Sequence, residues 1–150
     1  MERSLVLIKP DGIQRLLVGE VISRLERKGL RLLGMKLMLV PESLAREHYR
    51  QHEGKGFFRG LISYITSSPV VAMVWEGPRA IGVIRDLTGA TDPSKAQPGT
   101  IRGDYGLDVS FNMVHASDSA ESALREVALF FPPGEVIEYR RSVDEWLWVL

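Results

Sequence analysis

The run Asn112-Met113-Val114-His115-Ala116-Ser117-Asp118-Ser119 ends a short apolar step in a histidine and follows it with helix-capping side chains. A neutral imidazole nitrogen is a nucleophile near neutral pH, and a helix start just beyond it attracts an anion. The chain has only three histidines, so one at a strand-to-helix junction stands out. An isolated histidine is more often a buried structural residue; here the surrounding residues shift the balance toward chemistry.

Those surroundings can handle phosphate. Lys9 precedes Pro10-Asp11-Gly12 at a strand end, where an ammonium can point into a cleft. Arg85, Thr91 and Arg102 flank or lie in a long loop and offer donors to phosphate oxygens, and Asn112 adds an amide three residues before His115. Taken singly, each has a plainer account: a snorkelling lysine, a helix-surface arginine, a turn threonine. The common phosphate devices are missing, with no G-x-x-x-x-G-K-[ST] loop and no G-x-G-x-x-G, and there is no G-x-S-x-G nucleophile elbow. His48 and His52 stand at i, i+4 and suggest a metal-dependent hydrolase as one alternative, but His-Tyr-Arg-Gln-His lacks the glutamate of a zinc-protease motif. A partly exposed helical face is the simpler account of that pair.

The elements that must position these residues follow from pattern. Leu5 to Ile8 is a continuous apolar run, a buried strand, with a turn expected at Pro10-Asp11-Gly12. Val18, Val21, Ile22 and Leu25 form a helical stripe stopped at Gly29. Leu30 to Val40 reads as a second strand, with helices from Pro41 and from Phe57 to Thr66 behind it. Val70 to Trp75 is the clearest buried strand, followed by a helix from Arg79 to about Leu87. Residues 88 to 111 read as a long irregular loop, a length that usually carries function. Met113-Val114 is a short strand. Asp118 and Glu121 fit a capping box before a helix striped by Ala120, Ala123, Leu124, Val127 and Phe131 and ended by Pro132-Pro133. Helices alternating with few, short strands give a layered α/β or α+β domain spanning 1–150.

Composition narrows the class. A chain of 150 residues, 45% hydrophobic and 25% charged, suits one soluble globular domain. Its 19 basic and 19 acidic residues cancel, which argues against nucleic-acid binding by bulk charge. Without cysteine there are no disulfides or thiolate metal sites, as suits a reducing cytosol. No segment approaches a membrane span, and the N-terminal apolar run is too short for a signal-peptide core. The tail Trp146-Leu147-Trp148-Val149-Leu150 is apolar enough that it should pack on its own core or on a neighbouring subunit.

Taken together, these residues resemble nucleoside diphosphate kinase across essentially the whole chain. The resemblance rests on Lys9-Pro10-Asp11-Gly12, Gln14-Arg15, Glu47-His48-Tyr49, Phe57-Phe58, and Pro69 through Gly77. Its most specific parts are Pro98-Gly99-Thr100-Ile101-Arg102-Gly103-Asp104 and His115-Ala116-Ser117-Asp118-Ser119. It implies a ferredoxin-like α+β fold, a four-stranded antiparallel sheet with helices on one face. It implies ping-pong transfer of a γ-phosphate between nucleoside tri- and diphosphates through a phosphohistidine at His115. Lys9, Arg85, Thr91 and Arg102 would hold the phosphates, Phe57 would stack on the base, and Asn112 with Lys9 would contact the sugar. Glu126 would orient the second ring nitrogen of His115, with Ser117 beside it, and Tyr49 lies at a matching position too. Mg²⁺ would arrive with the nucleotide, and the chain would form a homo-oligomer, a hexamer by its tail and loop length, in the cytoplasm. The competing reading is a non-catalytic nucleotide-binding subunit of the same fold, which would need none of these polar side chains. Two departures stand out: Ala116 replaces the usual glycine after the histidine, and Leu16 stands where glycine is common.

Overall fold

A computed structural model describes residues 1–149. Four strands, β1 (Glu2–Ile8), β2 (Arg31–Met38), β3 (Val70–Gly77) and β4 (Val114–Ala116), form one sheet in the order β2-β3-β1-β4. Every neighbouring pair is antiparallel, with Leu5 opposite Val74 and Leu7 opposite both Ala72 and His115. The helices are α1 (Pro10–Gln14), α2 (Val18–Arg27), α3 (Glu42–His48), α4 (Phe58–Thr66), α5 (Ala80–Thr88), α6 (Ile101–Tyr105), α7 (Ala120–Phe130) and α8 (Asp144–Leu147). No helix among the described residues is long and apolar enough to cross a membrane.

Helices cover both faces of the sheet, not the one face the resemblance implied. Leu5, Leu7, Ala72 and Val74 pack with α3, α4 and α7, while Val6, Ile8, Met73 and Trp75 pack with α2, α5 and α6. The physical reason is in the runs themselves. Successive strand side chains point to opposite faces, so an unbroken apolar stretch needs apolar partners on both.

Three local expectations change. Pro10-Asp11-Gly12 opens a short helix instead of a turn, with proline at its first position, where no amide donor is missed. The irregular stretch 88–111 contains α6, capped by Thr100, whose hydroxyl accepts from the Gly103 amide at 3.0 Å. The capping box before α7 is built by Ser119 and Ser122 rather than Asp118 and Glu121. Asp118 instead accepts from the Ser122 hydroxyl.

The tail folds back on its own chain. Trp148 is buried, with the guanidinium groups of Arg31 and Arg141 at 4.7 and 4.9 Å from its ring, and Arg141 donates to the carbonyls of Gly29 and Leu30. Trp146 and Val149 stay exposed, and Leu150 lies outside the described residues.

Candidate active site

β4 is short, yet it holds the nucleophile candidate firmly. His115 pairs with Leu7 of the central strand β1, and Ser117 clamps the strand's exit. The Ser117 amide donates to the Leu5 carbonyl at 3.1 Å, and its hydroxyl accepts from the Leu5 amide at 3.1 Å. Ser117 is thus bonded to backbone and lies outside the cavity that His115 faces.

Entry to β4 is forced by a tight reversal. Met113 is buried at φ +67°, and the Val114 amide donates to the Asn112 carbonyl at 2.8 Å, closing a γ-turn around it. A bulky residue there is strained, and the Lys9 amide, donating to the Met113 carbonyl at 2.7 Å, helps hold it. Gly12 permits the close approach: a Cβ on it would stand 2.8 Å from Ile8 Cγ2 and 3.2 Å from the Met113 carbonyl oxygen.

The turn brings Asn112 over Lys9. Lys9 Nζ donates to Asn112 Oδ1 at 2.8 Å, and Asn112 Nδ2 donates to the Thr91 carbonyl at 3.0 Å. Burial, helped by the positive charge of Arg102, pushes the Lys9 ammonium down to about 8. Arg102, on α6, donates to three carbonyls, Gly89 at 2.8 Å, Asn112 at 3.2 Å and Val114 at 2.6 Å. It therefore staples the loop to β4. Burial, then Arg85, lowers it to about 10.

His115 Nε2 lies 2.7 Å from Glu126 Oε2, an ion-pair distance without hydrogen-bond alignment. Glu126 is buried on α7. The sequence left it at the flank of the apolar stripe, and the helix does turn it inward to the histidine. Nδ1 is the ring nitrogen left free of Glu126.

These groups line one cavity of about 220 Å³. It gathers Lys9, Tyr49, Arg85, Thr91, Arg102, Asn112, His115 and Glu126, each named from the sequence, and leaves Ser117 and Phe57 out of its lining. Phe57 is exposed nearby, its ring 5.3 Å from that of His52, which does line the cavity. Ala116 lies in β4, outside the left-handed region, so the alanine there carries no backbone strain. Leu16 does, at φ +61°.

His48 is the residue sequence reasoning misplaced. Spacing pairs it with His52 on a partly exposed helical face, but α3 ends at His48, which is 2% exposed. Its ring packs edge-on against that of His115, 4.6 Å between centroids, while His52 belongs to a separate turn beside Lys55. Burial foremost, then His115, holds the His48 imidazole well below its ordinary range, so it is neutral. The signal available was that Glu47-His48-Tyr49 stands among the segments that carry the family resemblance. Helical spacing alone pointed to the wrong partner.

Comparison with known proteins agrees along the whole chain. Residues 2–136 match the family model described as nucleoside diphosphate kinase. A protein of that name from Symbiobacterium thermophilum is 61% identical, with 98% of this chain and 97% of that one covered. One from Carboxydothermus hydrogenoformans is 56% identical over 99% of both. The fold superposes on a halophilic nucleoside diphosphate kinase from Halobacterium salinarum, in complex with CDP, with a TM-score of 0.96, 51% identity and 99% of each chain covered. The chain belongs to the nucleoside diphosphate kinase family and catalyses transfer of phosphate between nucleoside tri- and diphosphates.

Proposed function

We propose that this transfer runs in ping-pong fashion through Nδ1 of His115. The observation that carries it is the approach of Glu126 to Nε2 at the wall of a cavity lined by Lys9, Arg85 and Arg102. The carboxylate favours the tautomer with the ring proton on Nε2, which leaves the lone pair on Nδ1. That lone pair attacks the γ-phosphorus, the bond to the bridging oxygen breaks, and the nucleoside diphosphate leaves with the electron pair. A terminal oxygen of a second diphosphate then takes the phosphoryl group and returns the lone pair to Nδ1. The developing charge falls among Lys9, Arg85 and Arg102, with the Thr91 hydroxyl as a further donor.

Asn112 and Lys9 are positioned for the sugar, and Phe57, at the rim, offers a face on which any base can stack. Tyr49 fills the wall behind His115 and Glu126. Ser117 acts by fixing the strand under the histidine. Mg²⁺ fits as a partner of the nucleotide: only Glu126 and Asp118 supply carboxylates to the lining, too few for a protein cage. When bound, it neutralises charge on the phosphates. We place the chain in the cytoplasm as a single domain that assembles into a homo-oligomer, a hexamer. Exposed Met35, Leu37 and Leu39 on and beyond edge strand β2, with exposed Trp146, supply apolar surface for subunit contacts.

Intact mass after mixing with ATP tests the mechanism. The chain should gain one acid-labile phosphate and lose it on adding a nucleoside diphosphate. His115→Ala should keep its fold and its nucleotide affinity and gain no phosphate. Near-normal turnover by that variant sinks the covalent route.

A further inference from the structure

His48 is an anomaly the phosphotransfer reaction leaves unexplained. Its imidazole is 2% exposed, and neither ring nitrogen has a hydrogen-bond partner among the described residues. Burying a polar nitrogen without a partner is costly, and such groups in a native fold point to a missing partner. Glu126 Oε1 and His115 Nε2 are likewise buried without a hydrogen bond. The three side chains that carry these atoms converge. His48 Nδ1 is 3.6 Å from Glu126 Oε2, His115 Nε2 is 2.7 Å from the same oxygen, and one ligand atom from each residue lies within 4.8 Å of the others.

Two imidazoles and a carboxylate are the donor set of open zinc sites. Ligand atoms about 2.1 Å from a tetrahedral ion stand about 3.4 Å apart, inside the range found here. We propose that His48, His115 and Glu126 form an inhibitory site for a borderline divalent cation such as Zn²⁺, which closes on the nucleophile itself. The chemistry separates this site from the nucleotide's Mg²⁺, a hard ion that prefers oxygen and keeps its waters.

The inhibition rests on His115 being the phosphate carrier, and it follows from counting electron pairs on its ring. A neutral imidazole has one lone pair and one N–H. If the ion takes the lone pair of Nε2, the proton must sit on Nδ1, and the cleft-side nitrogen can no longer attack phosphorus. No bond to the ring breaks, so release of the ion restores the nucleophile. The metal should therefore block phosphate uptake by His115, and its removal should restore that uptake.

Co²⁺ titration of the chelator-stripped chain, followed by visible d–d absorption, tests this directly. The expected result is one tetrahedral Co²⁺ per chain, displaced by Zn²⁺ and indifferent to Mg²⁺. His48→Asn and Glu126→Gln should each weaken binding by more than about tenfold, and His52→Asn should not change it. His115→Asn, at a less buried position, serves if His48→Asn fails to fold. Co²⁺-loaded chain should take up no phosphate from ATP, and chelation of the metal should restore uptake. Absence of a spectrum in the native chain overturns the proposal, as does equal binding by folded His48→Asn or His115→Asn, or normal phosphate uptake by the Co²⁺-loaded chain. Should the metal-free chain take up no phosphate, the role of His115 as carrier falls, while the Co²⁺ arm still decides the metal site.

Discussion

Lys9 is an ammonium held out of water by its own strand end. Burial and Arg102 push it down to about 8, so in the free protein it loses its charge within the range where assays are run. The kcat/KM profile reports groups of the free enzyme, so it should fall as pH rises through about 8, and that limb should vanish in Lys9→Met. Stability should move the other way. The folded pKa lies below the unfolded 10.5, so the unfolded chain binds the extra proton between about 8 and 10.5. The cost of the buried charge is present in full below that window and fades as pH rises through it. Urea melts across the window should show Lys9→Met losing its stability advantage toward high pH. Arg102 differs in kind, because its donors already hold three carbonyls. Both Arg102→Met and Lys9→Met should lower kcat/KM by more than about tenfold, or ~1.4 kcal/mol. Only Arg102→Met should also unfold earlier, by about 3 kcal/mol, since it strands buried acceptors. Equal melting of the two variants would refute the stapling role.

At the scale of elements, what the sequence revealed was whatever periodicity alone decides. The unbroken runs Leu5–Ile8 and Val70–Trp75 became the two inner strands, and the stripe Val18-Val21-Ile22-Leu25 became α2. Helices α1 and α6 escaped notice because each has only five residues and carries glycine or proline; tertiary contacts set them, not propensity. The capping residue slipped by one, since Asp118 and Ser119 are equally good caps and only the turn geometry chooses. The site residues were named through a resemblance, and the cavity gathers eight of them. His48 was lost because spacing along a helix says nothing about where that helix ends. The two departures from the family also sort themselves here. Ala116 sits in extended β4, where a methyl costs no backbone strain, whereas Leu16 links α1 to α2 at φ +61° with its side chain 89% exposed. Leu16→Gly should therefore stabilise the chain by about 1 kcal/mol, raising Tm by roughly 3 °C with unchanged activity. A lower Tm would show that the exposed leucine is held by something else, such as a neighbouring subunit.

Across the whole molecule, charge and aromatic stacking tie the tail to the sheet. Arg31 bridges Glu76 and Asp144 while it stacks on Trp148, and Arg141 stacks on the same ring. Trp148→Ala should cost about 3 kcal/mol even in a dilute, dissociated chain. Removing residues 146–150 should in addition lower the assembly's melting temperature in a concentration-dependent way, because subunit contacts stabilise by mass action. Sedimentation equilibrium near six chains supports the hexamer, four corrects the number, and a stable active monomer refutes assembly. The sheet order bears on how such an assembly would work. β2 and β4 occupy opposite edges, three strand spacings or about 14 Å apart. A neighbour docked along β2 would meet a doubly covered sheet at the edge opposite the one that carries His115. Each subunit should then turn over without knowledge of the others. Saturation curves should stay hyperbolic, with a Hill coefficient of about one at every degree of assembly, so that oligomerisation lengthens the life of the catalyst and leaves its response to substrate unchanged.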